Sequence, residues 1–261
     1  MTDSVLIENM PWTTYKERIS EPRQIILIPI GALEQHGPHM SMNPDVLLPV
    51  AIATAVAARN RLLVAPPIAY GYKSQQRSGG GNHLCGTTCL DGATLTATVR
   101  DIIRAFARHG ARRICFVNGH YENSMFAIEG IDLALRELAW SGINDAQVVM
   151  LSYWDFVTEP ILEKIYPNGF PGWAVEHGGV LETSLMLHLH PNLVNMEYVP
   201  LHPAAQFPPY DIFPPVPEWT PPSGCLSSAT NASAEKGKIL FDVCVEGIAS
   251  TLKDAFDATR S

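Results

Sequence analysis

Four short apolar segments alternate with longer helical segments along this chain, and this alternation limits the fold more than any other feature. The first segment, residues 25–30, is the continuous apolar run Ile-Ile-Leu-Ile-Pro-Ile. Strands without polar alternation are typical of sheets covered on both faces. Further strands are predicted at residues 62–65, 113–117 and 147–151. We therefore expect βαβ units with right-handed crossovers and a largely parallel sheet.

Helical patterns fill most of the intervals between and after these strands. They are predicted at residues 46–58, 91–110, 124–140, 182–189 and 234–256. The second helix should begin with a side-chain cap from Asp91 and end at Gly110. The predicted fold class is α/β, a single domain with a mostly parallel central sheet flanked by helices on both faces.

Proline is concentrated in one segment near the C-terminal end. Residues 203–222 hold eight of the 21 prolines, which excludes regular helix or strand there. The aromatic residues of this segment indicate an ordered structure rather than a disordered linker. We expect one domain over residues 1–261, with a Pro-rich extended arm at about residues 200–224.

Charge and composition argue against several classes of protein. The chain has 26 acidic and 18 basic residues, a net charge of −8, so no nucleic-acid partner is expected. Neither a signal-peptide pattern nor an apolar run of about 20 residues is present, so no membrane partner is expected. Five cysteines, an odd number, indicate free thiols and a cytoplasmic location.

Two loops that follow predicted strands concentrate metal-binding side chains. Glu34 and His36 follow the first strand, and His120 and Glu122 follow the third. In each pair the two residues are separated by one position, so in an extended loop they point the same way. The carboxyl ends of parallel strands form the edge where α/β proteins bind ligands. A single pair of this kind would be explained more simply as a polar surface loop.

A fifth side chain, Asp45, lies between these two pairs along the sequence. Five ligands are too many for one tetrahedral zinc ion with an open position. They suit two divalent cations that share a carboxylate and hold water between them. Because Asp45 belongs to neither pair, it is the natural bridge.

Three other features are candidates for substrate binding or proton transfer. The glycine-rich segment at residues 71–83 contains Ser78, which could position a polar substrate, although a flexible surface turn explains the composition equally well. His177 follows an acid and precedes two glycines, as a general acid or base would, or as a structural histidine would. Trp154 and Trp173 could form walls around a small flat substrate or belong to the core.

These segments resemble the creatininase family, the creatinine amidohydrolases, over essentially the whole chain. The similarity is greater to the creatininases proper than to the wider family, whose substrates vary. The matching segments are Gly31–Gly37, Asn43–Asp45, Gly71–His83, Asn118–Ser124, Ser152–Val157, Glu176–Gly179 and Phe207–Phe213.

The resemblance implies a binuclear site with Zn²⁺, in which Mn²⁺ can occupy one position. It implies that one metal is bound by Glu34, Asp45 and His120, and the other by His36, Asp45 and Glu122. It also implies reversible hydrolysis of creatinine to creatine by a homohexamer built as a trimer of dimers.

The resemblance further assigns substrate contacts to Ser78, Tyr121, Trp154, Trp173 and His177. Among these, His177 matches the histidine that transfers a proton. Its orienting partner would be Glu176 or Glu182, and the alternative proton carriers are Glu122 and Glu176. Ala174 stands where the family pattern has an aspartate, in a loop that touches substrate.

Two alternatives to creatinine hydrolysis follow from the same residues. One is hydrolysis of another small cyclic amide or a formamide by the same centre. The other is a metal-binding scaffold or regulatory subunit without turnover. Such a protein would lack a metal ligand or the proton donor, and this sequence has both.

Overall fold

The central sheet is fully parallel and has four strands in the computed structural model, which describes residues 4–257. In chain order the strands are β1 (Ile26–Ile30), β2 (Leu63–Val64), β3 (Arg113–Asn118) and β4 (Gln147–Ser152). Their spatial order is β2-β1-β3-β4. Ile30 pairs with Asn118, so β1 and β3 end side by side at one edge. The strand order reverses between these two strands, which is where ligands bind in such folds.

Helices cover both faces of this sheet, as the predicted fold class requires. The helical segments are α1 (Trp12–Ile19), α2 (Pro44–Asn60), α3 (Gln76–Gly79), α4 (Gly92–Arg108), α5 (Asn123–Trp140), α6 (Glu159–Ile165), α7 (Val180–Leu189) and α8 (Ala234–Asp257). Leu27 of β1 packs into the core beneath α2, α7 and α8, whereas Ile26 and Ile28 pack into the core beneath α4 and α5. The apolar run therefore fills two cores, and the α/β prediction is confirmed.

Local details differ from the predicted elements. Helix α2 begins at Pro44, two residues earlier than expected, so Asp45 lies in its first turn. Asp91 occupies the N-cap position of α4, but its side chain makes no capping hydrogen bond. Its carboxylate forms an ion pair with Lys73 instead. The predicted side-chain cap is wrong because the ammonium group of a neighbouring loop competes with the helix amides.

The Pro-rich arm contacts the glycine-rich segment. Residues 200–224 include no α-helix or strand, only a 3₁₀ turn at Pro217–Trp219. The Thr220 hydroxyl donates to the Gly80 carbonyl at 2.7 Å. Residues 1–3 and 258–261, the ends of the expected 1–261 domain, lie outside the described residues. Within residues 4–257 no helix is long and apolar enough to cross a membrane.

Candidate metal centre

Two glycines at the strand ends bring the first turn of α2 to the edge of the sheet. Gly31 follows β1 and Gly119 follows β3. A Cβ atom added to either glycine would overlap the main-chain carbonyl oxygen of Asp45. Both positions therefore need a residue without a side chain. This close packing places the Asp45 carboxylate between the loops that carry Glu34 and His120.

The first group of candidate ligands consists of Glu34, Asp45 and His120, all of them buried. His120 Nδ1 lies 3.1 Å from Glu34 Oε2 and 3.2 Å from Asp45 Oδ2. The other ring nitrogen, Nε2, donates to the Tyr72 carbonyl at 3.0 Å. A carbonyl can only accept, so the Nδ1 lone pair of the neutral ring is left for a cation.

The second group of candidate ligands consists of His36, Asp45 and Glu182, also buried. His36 Nε2 lies 3.0 Å from Asp45 Oδ1 and 3.5 Å from Glu182 Oε1. His36 Nδ1 donates to the Glu34 carbonyl at 3.1 Å, which again leaves the inward nitrogen free. The two oxygens of Asp45 thus face the two groups separately, as a bridging carboxylate requires.

The chemistry of these groups fits divalent cations. Glu34 Oε1, His36 Nε2 and Asp45 Oδ2 are buried without a hydrogen-bond partner among the described residues. Burial lowers the pKa of His36, but Asp45 and Glu182 outweigh burial and raise that pKa well above its ordinary value. Burial raises the pKa of Asp45, but His36 and His120 outweigh it and lower that pKa. Carboxylates and imidazoles are the ligands that Zn²⁺ and Mn²⁺ accept in proteins.

Glu122 lies beside these groups but is in neither of them. Its Oε1 accepts hydrogen bonds from Ser78 Oγ at 2.5 Å and from the Gln75 amide at 3.0 Å. Its Oε2 lies 3.4 Å from His120 Nε2, the nitrogen on the outer side of that ring. Glu122 therefore holds the glycine-rich segment against the centre, and its assignment as a metal ligand stays a prediction.

The sequence indicates Glu182 only as a partner for His177, whereas the structure places it beside His36 and Asp45 in a group that could hold a metal ion. Glu182 lies in the first turn of α7, and its Oε2 accepts a hydrogen bond from the Gly178 amide at 2.8 Å. Its Oε1 is the atom that faces His36. The only signal in the sequence was an acidic residue at the start of a helix that follows two glycines.

His177 lies against the centre, while its neighbour Glu176 points elsewhere. The His177 ring centroid is 4.2 Å from that of His36, and its Nε2 lies 2.8 Å from the Gln35 carbonyl oxygen and 3.1 Å from the side-chain Nε2 of the same residue. Glu176 Oε1 accepts from the amide of Leu181 at 2.7 Å, so it caps the start of α7. Burial, and next the charge of Glu182, raise the pKa of Glu176 to about 8. The role of Glu176 in proton transfer stays a prediction.

A cavity of about 820 Å³ opens over both groups of ligands. Its walls include every residue expected to contact substrate: Ser78, Tyr121, Trp154, Trp173 and His177. Tyr121 is 67% exposed and Trp173 is 44% exposed, so both have room to close on a bound molecule. Ala174, where the family pattern has aspartate, also lines the cavity. Arg77 and Asp211, 3.8 Å apart, line it as well and connect the glycine-rich segment to the arm.

Comparison with known proteins supplies close relatives. A creatinine amidohydrolase of Pseudomonas putida is 58% identical over 260 residues, which cover 99% of this chain and 100% of that protein. A mycofactocin precursor peptide peptidase of Mycobacterium ulcerans is 31% identical over 248 residues, 86% of this chain and 84% of that protein.

Solved structures give the same result for the fold. A creatininase in a Mn form is 59% identical and has a TM-score of 0.96, covering 97% of this chain and 99% of its own. A mutant creatininase of Zn-Zn type is 57% identical with a TM-score of 0.96 and coverages of 98% and 99%. A mutant complexed with creatine is 58% identical with a TM-score of 0.94 and coverages of 97% and 99%. The family model for creatinine amidohydrolase matches residues 8–252, and the chain belongs to the creatininase family.

Proposed function

We propose that this protein is a metal-dependent cyclic amidohydrolase that interconverts creatinine and creatine. The observation that carries the proposal is the pair of buried ligand groups joined by Asp45, whose two oxygens face His36 and His120. The full-length relative at 58% identity is a creatinine amidohydrolase, and a related structure contains creatine. Together they connect a binuclear centre to hydrolysis of a small cyclic amide.

Two divalent cations are part of this proposal. Glu34, Asp45 and His120 would hold the first cation, and His36 and Asp45 would hold the second. The contacts favour Glu182 as the remaining ligand of the second cation, and Glu122 is the ligand that the family resemblance implies. Zn²⁺ in both positions, with Mn²⁺ able to occupy one, agrees with the Zn-Zn and Mn forms of related structures. When bound, such cations polarise a carbonyl oxygen and make water a nucleophile near neutral pH.

The protein supplies the proton that ring opening needs. The oxygen of water joins the carbonyl carbon, the ring C–N bond breaks, and the leaving nitrogen must gain a proton. His177 lines the cavity against His36, which places it within reach of a substrate held at the centre. We assign it the role of general acid for ring opening and of general base for the reverse reaction.

Aromatic side chains would bind the substrate ring and exclude water. Trp154 and Trp173 both line the cavity, and the ring of Trp173 packs edge-on against Phe170 at 4.9 Å between centroids. Tyr121 and Ser78 complete the walls. Closure of the exposed rings over substrate would keep bulk water from the leaving nitrogen.

The competing function is hydrolysis of another small cyclic amide or a formamide. A relative 31% identical to this chain is a mycofactocin precursor peptide peptidase, so similarity alone does not determine the substrate. Assaying creatinine beside a panel of lactams, cyclic imides and formamides, with metal analysis of the same sample, separates the two. Turnover of creatinine well above every other compound supports the proposal, and preference for another compound overturns it.

Assembly as a homohexamer, a trimer of dimers, completes the proposal, with residues 1–261 acting as one domain. It is supported by exposed apolar side chains on the Pro-rich arm, where Phe213 is 75% exposed, and on α5, where Met125 is 73% exposed. A cytoplasmic location agrees with the five cysteines, all of which are free. Light scattering that gives only monomer at micromolar concentration would overturn the assembly.

A further inference from the structure

A chain of hydrogen bonds centred on Thr220 joins the Pro-rich arm to the glycine-rich segment. The Thr220 side chain is buried, and its hydroxyl donates to the Gly80 carbonyl at 2.7 Å and accepts from Gln76 Nε2 at 3.1 Å. The same Nε2 also donates to the Val216 carbonyl. Because a main-chain carbonyl can only accept, the direction of each hydrogen bond in this chain is settled.

These contacts lie on both sides of Ser78 along the sequence. Gln76 precedes Ser78 by two residues, and Gly80 follows it by two. Ser78 has φ +113°, a conformation that serine keeps only where its surroundings impose it. Gly80 has φ +80°, and a Cβ atom there would lie only 3.3 Å from the Thr220 methyl group. Thr220 therefore holds the main chain before and after the strained serine.

A second contact between the same two segments is much weaker. Arg77 and Asp211 are 3.8 Å apart, and their side chains are 38% and 59% exposed. An ion pair that is this long and this exposed is screened by water and contributes little. Loss of a buried hydroxyl costs more, because it leaves the Gly80 carbonyl and the Gln76 amide without a partner. Thr220 is therefore the contact through which the arm acts on the segment.

We propose that Thr220 is a positioning residue for substrate binding, which holds the turn at residues 76–80 so that the Ser78 side chain lines the cavity. The inference rests on the proposed function, in which Ser78 contacts the substrate. Ser78 lies in the cavity wall, whereas Thr220 is outside that wall in the described part of the chain. Thr220 therefore acts only through the turn, and its loss should alter KM rather than kcat.

Two substitutions of Thr220 separate the hydroxyl from the shape of the side chain. Thr220→Val keeps the branched shape and removes the hydroxyl, and we expect KM for creatinine to rise about five- to tenfold with kcat and metal content unchanged. Thr220→Ser restores the hydroxyl and should return KM close to the wild-type value. An unchanged KM in Thr220→Val, equal KM values in the two variants, or loss of metal would overturn the proposal.

A Ser78→Ala background tests whether the effect passes through Ser78. In that background Thr220→Val should raise KM no further, because the two residues act as one unit. A rise of the same size as in the wild-type background would show that Thr220 acts by another route, and the proposal would fail.

Thr96→Val is the matched control for the loss of a buried threonine hydroxyl. The Thr96 hydroxyl donates to the Phe126 carbonyl at 3.0 Å and joins α4 to α5. We expect this variant to lower the melting temperature about as much as Thr220→Val does, while KM stays at the wild-type value. An equal rise of KM in both variants would mean that KM reports only a general loss of stability, which overturns the proposal.

Hydrogen exchange of the metal-loaded protein reads the turn without any turnover. Mass spectrometry of peptides from residues 71–83 should show faster amide exchange in Thr220→Val, and wild-type rates in Thr220→Ser and Thr96→Val. If the wild-type protein does not hydrolyse creatinine, the proposed function fails, and the exchange rates still decide whether Thr220 holds the turn. Unchanged exchange in Thr220→Val overturns the inference, whatever substrate the enzyme prefers.

Discussion

Ser78 donates a hydrogen bond of 2.5 Å to Glu122 Oε1 from a backbone conformation that is unfavourable for serine, with φ +113°. Strained residues of this kind cost about 1–3 kcal/mol and persist where the surrounding structure holds them. Here the same carboxylate oxygen also accepts from the Gln75 amide, so Glu122 holds both ends of the strained turn. The strain is located where the glycine-rich segment meets the cavity.

Two substitutions of Ser78 separate strain from hydrogen bonding. Ser78→Ala and Ser78→Gly both remove the hydroxyl, but only glycine adopts this backbone conformation without strain. We expect the glycine variant to have a free energy of unfolding about 1 kcal/mol higher than the alanine variant. Both should bind substrate more weakly than wild type. Chemical denaturation measures the difference, and an alanine variant of equal or greater stability would contradict the argument.

We expect activity to depend completely on bound metal, and Asp45 to be the residue whose substitution affects both metals. Prolonged chelation should abolish activity and lower the melting temperature, because three buried carboxylates would lose their counter-charge, and Zn²⁺ or Mn²⁺ should restore both. Asp45→Asn should reduce the content of both metals, since each oxygen faces a different group. Exposed Asp101→Asn is the matched control for metal content. Full activity of verified metal-free protein would refute this prediction.

Two acidic residues, Glu182 and Glu122, are candidates for the remaining ligand of the second cation, and their variants can be compared directly. Glu182 Oε1 faces His36 Nε2 at 3.5 Å, whereas Glu122 faces only the outer side of His120. We therefore expect Glu182→Gln to lose about one metal per chain, and Glu122→Gln to keep more metal while kcat falls. Metal analysis with kinetics on both variants checks this. If Glu122→Gln loses more metal than Glu182→Gln, then the ligand set implied by the family resemblance is the correct one.

Residue spacing, together with the tendency of ligands to bind at the carboxyl ends of parallel strands, could predict that Glu34, Asp45 and His120 come together. Glu34 and His120 follow predicted strands, and Asp45 immediately precedes the next predicted helix, so short-range pattern carries the information. The approach of Glu182 could not be predicted in this way, because it depends on how α7 packs against the centre after the turn at Gly178.

Adjacency in the sequence also failed to predict a contact at the candidate metal centre. Glu176 precedes His177, which favoured a contact between them, but the cap that it forms on α7 turns its carboxylate away. The partner of His177 is Gln35, 142 positions away in the sequence. Such contacts depend on loops whose course no periodic pattern specifies, whereas the sheet and its two cores followed from the alternation of apolar segments.

The exposed and the buried cysteines should react with alkylating reagents at different rates. Cys85 is exposed, whereas burial raises the pKa of Cys244 to about 12 and that of Cys225 to about 11. A thiol with a pKa of about 12 is ionised in only about one molecule in ten thousand at pH 8, and the thiolate is the reactive form. Alkylation mapped by mass spectrometry at pH 8 should label Cys85 in the native protein and Cys244 only after denaturation. Equal labelling rates would contradict the buried placement of Cys244.

Two variants at the cavity wall should affect proton transfer and substrate binding separately, one through kcat and the other through KM. His177→Ala removes the group assigned to protonate the leaving nitrogen, and a positioned acid typically contributes about 10²–10⁴-fold. We expect kcat to fall by that factor with metal content near wild type. Trp173→Ala should mainly raise KM, because an indole ring that lines the cavity exchanges no proton. If His177→Ala loses a metal instead, the third buried group, Glu34 with His36 and His177, is a ligand set and the proton donor must be sought elsewhere, first at Glu122 and Glu176.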